Sequence, residues 1–295
     1  CKTPDVMLAP VNKLLDLAYW KKINSHLNVS DSPNFSTPIS MSRDRLDEIS
    51  DTIHHDGYLH QTPLFESVDI KALRLGIENL VALGWPPAFI YVYDETWDLF
   101  HQLDGFLSHF LGEEFGLLPH FWAWHIDQED EGETKGWPPH LDYSGECAFF
   151  DDYLISLSLW IPLTDATPEN GCMSILPLSR QKQYEKPVTE VSDILLQDVR
   201  SLPAKAGSLL GWRQDLWHWS GRSSKYAKEP RISLSLEFQN RAFEPLSSPL
   251  FDLTNPPRPE QRVQLVCGQF QKYVHMERVS DELAAAAKEI GQPQP

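Results

Sequence analysis

The stretch Leu154-Ile155-Ser156-Leu157-Ser158-Leu159-Trp160-Ile161 decides the fold class, because it alternates Ile155, Leu157, Leu159 and Ile161 with Ser156, Ser158 and Trp160. Successive side chains of an extended chain point to opposite faces, so a period of two predicts a strand with one apolar and one polar face. Arg231-Ile-Ser-Leu-Ser-Leu-Glu-Phe238 repeats the pattern. The first strand runs into a turn signal, Asp165-Ala-Thr-Pro-Glu-Asn-Gly171, and the short apolar run from Cys172 to Leu176 is expected to return as its hairpin partner. Lys205 to Trp212 reads as another short strand between glycines.

Upstream the period lengthens. Leu46, Ile49 and Ile53 follow helical spacing toward His55-Asp-Gly-Tyr-Leu59. Asp69 to Leu83 sets Leu73, Ile77, Leu80 and Val81 on one face until Gly84 and two prolines stop it, and Glu95 to Leu111 reads as one helix carrying Phe100, Leu103, Leu107 and Phe110. Near the other end, Ser280 caps and Gly291 stops a short Ala-rich helix. The expected architecture is mainly β with helical elaboration. A helical scaffold over residues 1–115 packs against a jelly-roll or cupin-like core over 116–245, whose open end can hold a ligand, and 246–295 forms an extension of the same composite domain.

The charge balance narrows the partners. Asp and Glu number 42 against 25 Lys and Arg, a net charge of −17, which repels phosphate backbones and anionic lipid and argues against a nucleic-acid binder. The longest apolar stretch, Val81 to Tyr93, is broken by Gly84, Pro86 and Pro87 and falls short of the roughly 20 residues that cross a bilayer, so no membrane span is expected. Cys1, Cys147, Cys172 and Cys267 lie far apart with no Cys-x-x-Cys pair; they read as reduced, buried thiols of a cytoplasmic protein. Numbering from Cys1 rather than a Met leaves room for a removed or preceding segment.

Within the β-rich part sits Trp137-Pro-Pro-His140-Leu-Asp142, and far along the chain Gly211-Trp-Arg-Gln-Asp-Leu-Trp-His218. In an extended segment residues i and i+2 share a side, so His140 and Asp142 can grip one ion together, and a His on a facing strand supplies a third ligand. Two imidazoles and a carboxylate on one face of an octahedron leave three positions open, the arrangement of non-heme Fe(II) oxygenases. A second His-x-Asp, His125-Ile-Asp127, is the rival. His125 ends an aromatic run, Phe121-Trp-Ala-Trp124, that suits a strand interior, and Asp127 opens the acidic stretch Gln128 to Glu133, which reads as a solvated loop. Arg231 opens the last alternating strand with Ser233 on the same face, and a guanidinium fork beside a hydroxyl suits a carboxylate. The plainer reading of Arg231 is a surface salt bridge to Glu229 or Glu237. Trp137, Tyr143, Trp217 and Trp219 flank the ligand motifs and are candidates for an apolar, water-excluding substrate wall, with Arg222 beside them.

Taken in order, His140-Leu-Asp142, the block from Ile155 to Pro177, His218-Trp-Ser-Gly and Arg231 resemble the phytanoyl-CoA dioxygenase-like branch of the Fe(II)/2-oxoglutarate oxygenases. The stretch Leu46 to Leu59 is similar to that family's opening, so the resemblance covers roughly residues 41–245. It implies a double-stranded β-helix, iron on His140, Asp142 and His218, and 2-oxoglutarate chelating the metal and reaching Arg231. It also implies dioxygen as a co-substrate and hydroxylation of a small organic substrate with release of succinate and CO2. The related halogenating enzymes carry a small residue where Asp142 stands. Two positions depart from the family: Pro177-Leu-Ser-Arg180 replaces a common Pro-Gly-Ser-His, and Arg222 stands where an Asn often follows. Two other readings keep the same residues, a zinc hydrolase using the His-Asp-His site and a catalytically silent jelly-roll that binds a ligand or partner.

Overall fold

The computed structural model describes residues 9–127, 136–143, 148–151, 153–253, 255–273 and 279–291. In chain order the elements are α1 (Leu17–Ile23), α2 (Arg43–Asp56), β1 (Tyr58–Gln61), α3 (Ser67–Ala82), α4 (Asp94–Gln102), α5 (Asp104–Leu111), β2 (Phe115–Leu117), β3 (Trp122–Ile126) and β4 (Trp137–His140). There follow β5 (Phe149–Phe150), β6 (Tyr153–Leu154), β7 (Ser156–Pro162), β8 (Met173–Ile175), α6 (Leu178–Gln181), β9 (Arg200–Leu202), β10 (Leu209–Trp212), β11 (His218–Ser220), β12 (Arg231–Asn240), α7 (Pro259–Tyr273) and α8 (Asp281–Ile290).

Two antiparallel sheets dominate. The larger runs β1-β10-β7-β12-β2 with β3 also on β12, and the smaller runs β4-β11-β8-β9. Leu157, Leu159, Ile161, Ile232, Leu234, Leu236 and Phe238 point from the large sheet into one apolar core with Ile70, Leu73, Ile77 and Leu80 of α3. Trp160, Leu210 and Trp212 point the other way, into a second core with Met173, Ile175 and Leu202 of the small sheet. Helices therefore cover one face of the large sheet and the small sheet covers the other. The mixed α/β architecture agrees with the expected family of folds. No ladder among the described residues joins the two sheets into a closed jelly-roll.

Several local expectations are corrected. The predicted helix from Glu95 to Leu111 is two helices, because the carbonyl of Gln102 accepts from Ile39 N at 2.8 Å and the chain turns at Leu103. The run after Gly171 does not return as a hairpin on β7. Gly171, at φ +82°, sends β8 into the other sheet, where it pairs with β11 and β9. The helix before Leu59 ends at Asp56, Gly57 takes a left-handed φ of +85°, and Tyr58–Gln61 becomes β1 on the edge of the large sheet. A strand thus comes from within the N-terminal region expected to be helical. The serines of β7 face no solvent: every residue of this strand is buried, so its polar face looks into the space between the sheets.

Ser280 caps α8 through Leu283 N, as its sequence predicts. The extension also contains α7, which Arg262 fastens by donating to Asp94 at 2.5 Å and to the carbonyls of Val92 and Pro257. Cys172 and Cys267 are free and buried, and burial pushes the Cys267 thiol up to about 12. Cys1, Cys147 and the acidic stretch Gln128 to Glu133 lie outside the described residues. No helix of the described chain is long and apolar enough to cross a membrane.

Candidate metal centre

β4 and β11 are antiparallel neighbours in a register that sets His218 directly opposite His140. Paired residues of a ladder put their side chains on one face, and the two imidazole centroids lie 4.2 Å apart. Asp142, two residues past His140, turns its Oδ1 toward both rings, 3.5 Å from His140 Nε2 and 3.6 Å from His218 Nε2. One ligand atom from each residue falls within 4.8 Å of the others; among the described residues no other group of three such side chains is placed this way.

The surroundings fix which atoms face the centre. His140 Nδ1 lies 2.8 Å from the carbonyl of Pro138 and His218 Nδ1 lies 2.9 Å from that of Leu216. A carbonyl only accepts, so each Nδ1 donates and each neutral ring presents its Nε2 lone pair inward, the tautomer that a divalent cation requires. Asp142 is oriented in the same manner. Its Oδ2 accepts from Ser158 Oγ at 2.7 Å and from the Trp212 indole at 3.2 Å, while its backbone N–H donates to the carbonyl of Gln214. With Oδ2 occupied, Oδ1 is the oxygen available as a single-atom ligand. Gln214 stands 3.1 Å from Ser158 Oγ. The contact is made by the Gln214 Oε1, so the Ser158 hydroxyl faces two acceptors, Asp142 Oδ2 at 2.7 Å and this amide oxygen at the longer distance.

Electrostatics follow from these contacts. Burial alone pushes the Asp142 carboxyl up, but the facing His218, the bond and charge of His140 and the Ser158 hydroxyl outweigh it and hold the group well below the usual carboxylate range. Burial likewise pulls His218 down, against the opposing pull of Asp142. An anionic carboxylate facing two imidazoles whose Nε2 atoms point inward is a donor set suited to a divalent cation.

Arg231 lies at the start of β12, and Ser233 shares its face. Arg231 is 2% exposed. Its Nε and the Ser233 hydroxyl are both buried without a hydrogen-bond partner among the described residues, and the guanidinium carbon lies 5.9 Å from the centre of the Trp160 ring. The surface salt bridge is overturned: Glu229 pairs with Arg74 at 3.0 Å and Glu237 with His120 at 2.9 Å, and Arg231 makes no ion pair among the described residues. Burial draws the Arg231 group down to about 10, which leaves it charged at neutral pH. A buried cation with no counter-charge among the described residues is costly.

The remaining sequence candidates divide. Trp137 donates its indole N–H to His140 Nε2 at 2.9 Å and packs on Trp124 at 5.9 Å. Tyr143 stacks on His120. Trp219 pairs with Ser174 and alternates with His218, which turns it to the opposite face of the small sheet. Neither it, the buried Trp217 nor the exposed Arg222 touches the three central residues through a ring contact, hydrogen bond or ion pair. His125 pairs with Ile232 and so faces the helical side, 3.5 Å from the exposed Asp127. Ser158, Trp212, Gln214, Trp124 and His120 escape sequence reasoning, because no local pattern distinguishes them from core residues; Ser158 and Trp160 carry only the signal of sitting on the polar face of an alternating strand.

Solved structures define the class of fold. AviO1 from Streptomyces viridochromogenes Tue57 superposes with a TM-score of 0.54 at 18% identity, over 70% of this chain and 99% of its own. The epimerase SnoN, solved with Fe3+, alpha ketoglutarate and nogalamycin RO, gives 0.53 at 18% over 68% of this chain and 85% of its own. HygX from Streptomyces hygroscopicus, solved with nickel and 2-oxoglutarate, gives 0.52 at 15% over 69% and 89%. At the level of sequence, the family profile described as phytanoyl-CoA dioxygenase (PhyH) matches residues 98–228, a span that holds His140, Asp142 and His218. Over that span the chain is similar to the phytanoyl-CoA dioxygenase (PhyH) family. No curated protein sequence matches it significantly.

Proposed function

We propose that this protein is a non-heme Fe(II)- and 2-oxoglutarate-dependent oxygenase, and that it hydroxylates a carbon of a small organic substrate with release of succinate and CO2. In this reading the two facing sheets are the halves of a double-stranded β-helix. The observation that carries it is the buried pair Arg231 and Ser233, unpartnered among the described residues and on the inner face of the sheet whose Ser158 holds Asp142. A zinc hydrolase or a silent binding module would leave that costly cation without a task.

The residues fit the groups the family uses. Nε2 of His140, Nε2 of His218 and Oδ1 of Asp142 would hold the metal, and Arg231 with Ser233 would hold the distal carboxylate of the oxoacid by a charge-assisted fork and a hydroxyl. When bound, iron with the oxoacid and dioxygen supplies the oxidising power. The chain does the rest. Ser158 and Trp212 fix the carboxylate so that one oxygen faces inward, and the carbonyls of Pro138 and Leu216 fix both imidazoles. Trp137, Trp124 and Tyr143 wall the centre and exclude water from the space in which a substrate carbon is presented. The structures of SnoN with Fe3+ and alpha ketoglutarate and of HygX with nickel and 2-oxoglutarate support the same pair of groups for this chain.

Anaerobic titration with Fe(II), with and without 2-oxoglutarate, tests the reading. Appearance of the visible charge-transfer absorption of a chelated oxoacid, and its loss in R231L with metal binding kept, is the expected result. Metal binding with no oxoacid-dependent band points to hydrolysis, and absence of both points to a binding module.

A further inference from the structure

Past Arg231, Ser233 and Ser235, the inward-facing series of β12 reaches Glu237. Six residues of extended chain separate Arg231 from Glu237, about 20 Å at roughly 3.3 Å per residue. Glu237 therefore stands at the end of the strand away from the anion pocket. In the β7–β12 ladder it pairs with Ser158, whose hydroxyl binds Asp142. Paired residues have Cβ atoms about 5 Å apart, so Glu237 lies one cross-strand step from the residue that fixes the carboxylate ligand.

Glu237 Oε2 lies 2.9 Å from His120 Nδ1, and the hydroxyl of Tyr143, the residue after Asp142, lies 2.9 Å from the same nitrogen. The His120 and Tyr143 rings stack with an interplanar angle of 18°. His120 and Glu237 side chains are 12% and 13% exposed, so this is a sheltered pair and not a solvated one. An ionised carboxylate only accepts, so Nδ1 of His120 carries the proton and Nε2 holds a lone pair. That Nε2 has no hydrogen-bond partner among the described residues.

We propose that His120 and Glu237, with Tyr143, form a substrate-positioning dyad that binds a hydroxyl group of the substrate beside the metal centre, which makes the substrate a hydroxylated small molecule. The inference rests on the reading of His140, Asp142 and His218 as the reaction centre. The alcohol O–H donates to Nε2, and the Glu237 carboxylate stabilises the partial positive charge that the imidazole acquires. A hydrogen-bonded site of this kind discriminates against the analogue lacking the hydroxyl, because the Nε2 lone pair then loses its donor. The dyad sits opposite the anion pocket along β12, so the oxoacid and the substrate hydroxyl approach the centre from opposite ends of one strand.

NMR of the full chain carrying isotopically labelled histidine nitrogens, with Zn(II) and 2-oxoglutarate added, tests the proposal. The expected result is a His120 ring protonated at Nδ1, with an Nε2 resonance that moves when cyclohexanol is titrated in and stays in place with methylcyclohexane. In E237Q the tautomer preference and the cyclohexanol response are both lost. A ring protonated at Nε2, a His120 signal unmoved by cyclohexanol, or equal movement with both probes overturns it, and the wild-type spectra decide even where E237Q does not fold. Failure of the underlying site is separate: His140 and His218 signals would then not respond to Zn(II), whatever His120 does.

Discussion

The indole N–H of Trp137 donates to Nε2 of His140 at 2.9 Å, the same nitrogen whose lone pair faces Asp142. A lone pair serves one partner, so ligation of a metal at this atom requires the indole to turn away. Iron or zinc titration is expected to change the emission attributable to Trp137, and W137F is expected to bind metal more tightly. The competing hydrogen bond is worth about 0.5–1.5 kcal/mol, roughly two- to tenfold in affinity. Weaker metal binding by W137F, measured by competition with a chelator, contradicts this account.

Asp142 and Asp127 are expected to behave differently. D142A removes an anionic ligand and should abolish high-affinity metal binding, whereas D127A, at an exposed position on the other side of the sheet, should leave it intact. S158A removes the hydroxyl that occupies Oδ2 and should weaken binding by about 10- to 100-fold, the usual effect of losing a partner that orients a ligand. Isothermal titration of the three variants separates these outcomes; equal losses in D142A and D127A would mean that the metal sits elsewhere.

Arg231 carries a prediction of opposite sign for binding and for stability. R231L is expected to lose 2-oxoglutarate affinity by roughly 2–5 kcal/mol, thirtyfold or more, with R231K restoring only part of it. The same substitution removes a buried cation that has no counter-ion among the described residues, so the oxoacid-free protein should melt at an unchanged or higher temperature. A lowered Tm together with normal oxoacid binding would make Arg231 a structural residue.

Gly171 is expected to tolerate no side chain. Its φ is +82°, and a Cβ there would lie 2.1 Å from the carbonyl oxygen of Gly221. G171A should destabilise the fold by more than about 2 kcal/mol, from left-handed strain together with a backbone clash that nothing flexible can relieve. Chemical denaturation checks the value, and a cost under about 0.5 kcal/mol would show that the crossing between sheets can shift at this point.

What the sequence determined by itself is what depends on neighbours along the chain. The period of two in β7 and β12, the helical spacing of Leu73, Ile77 and Leu80, the Ser280 cap, and the pairing of His140 with Asp142 two residues on are all short-range, and short-range geometry is set by backbone stereochemistry. Arg231 and Ser233 were legible for the same reason, as i and i+2 on one strand. The tertiary structure decided which elements meet. Tyr58–Gln61 becomes a strand because β10 offers an edge, β8 leaves β7 because Gly171 turns it into the other sheet, and the serines of β7 are buried because a second sheet covers them. The clamp of Ser158 and Trp212 on Asp142 and the dyad of His120 and Glu237 join residues far apart in sequence. No periodicity announces such pairs, since a buried polar atom takes whichever partner the packing of distant strands brings within hydrogen-bond reach.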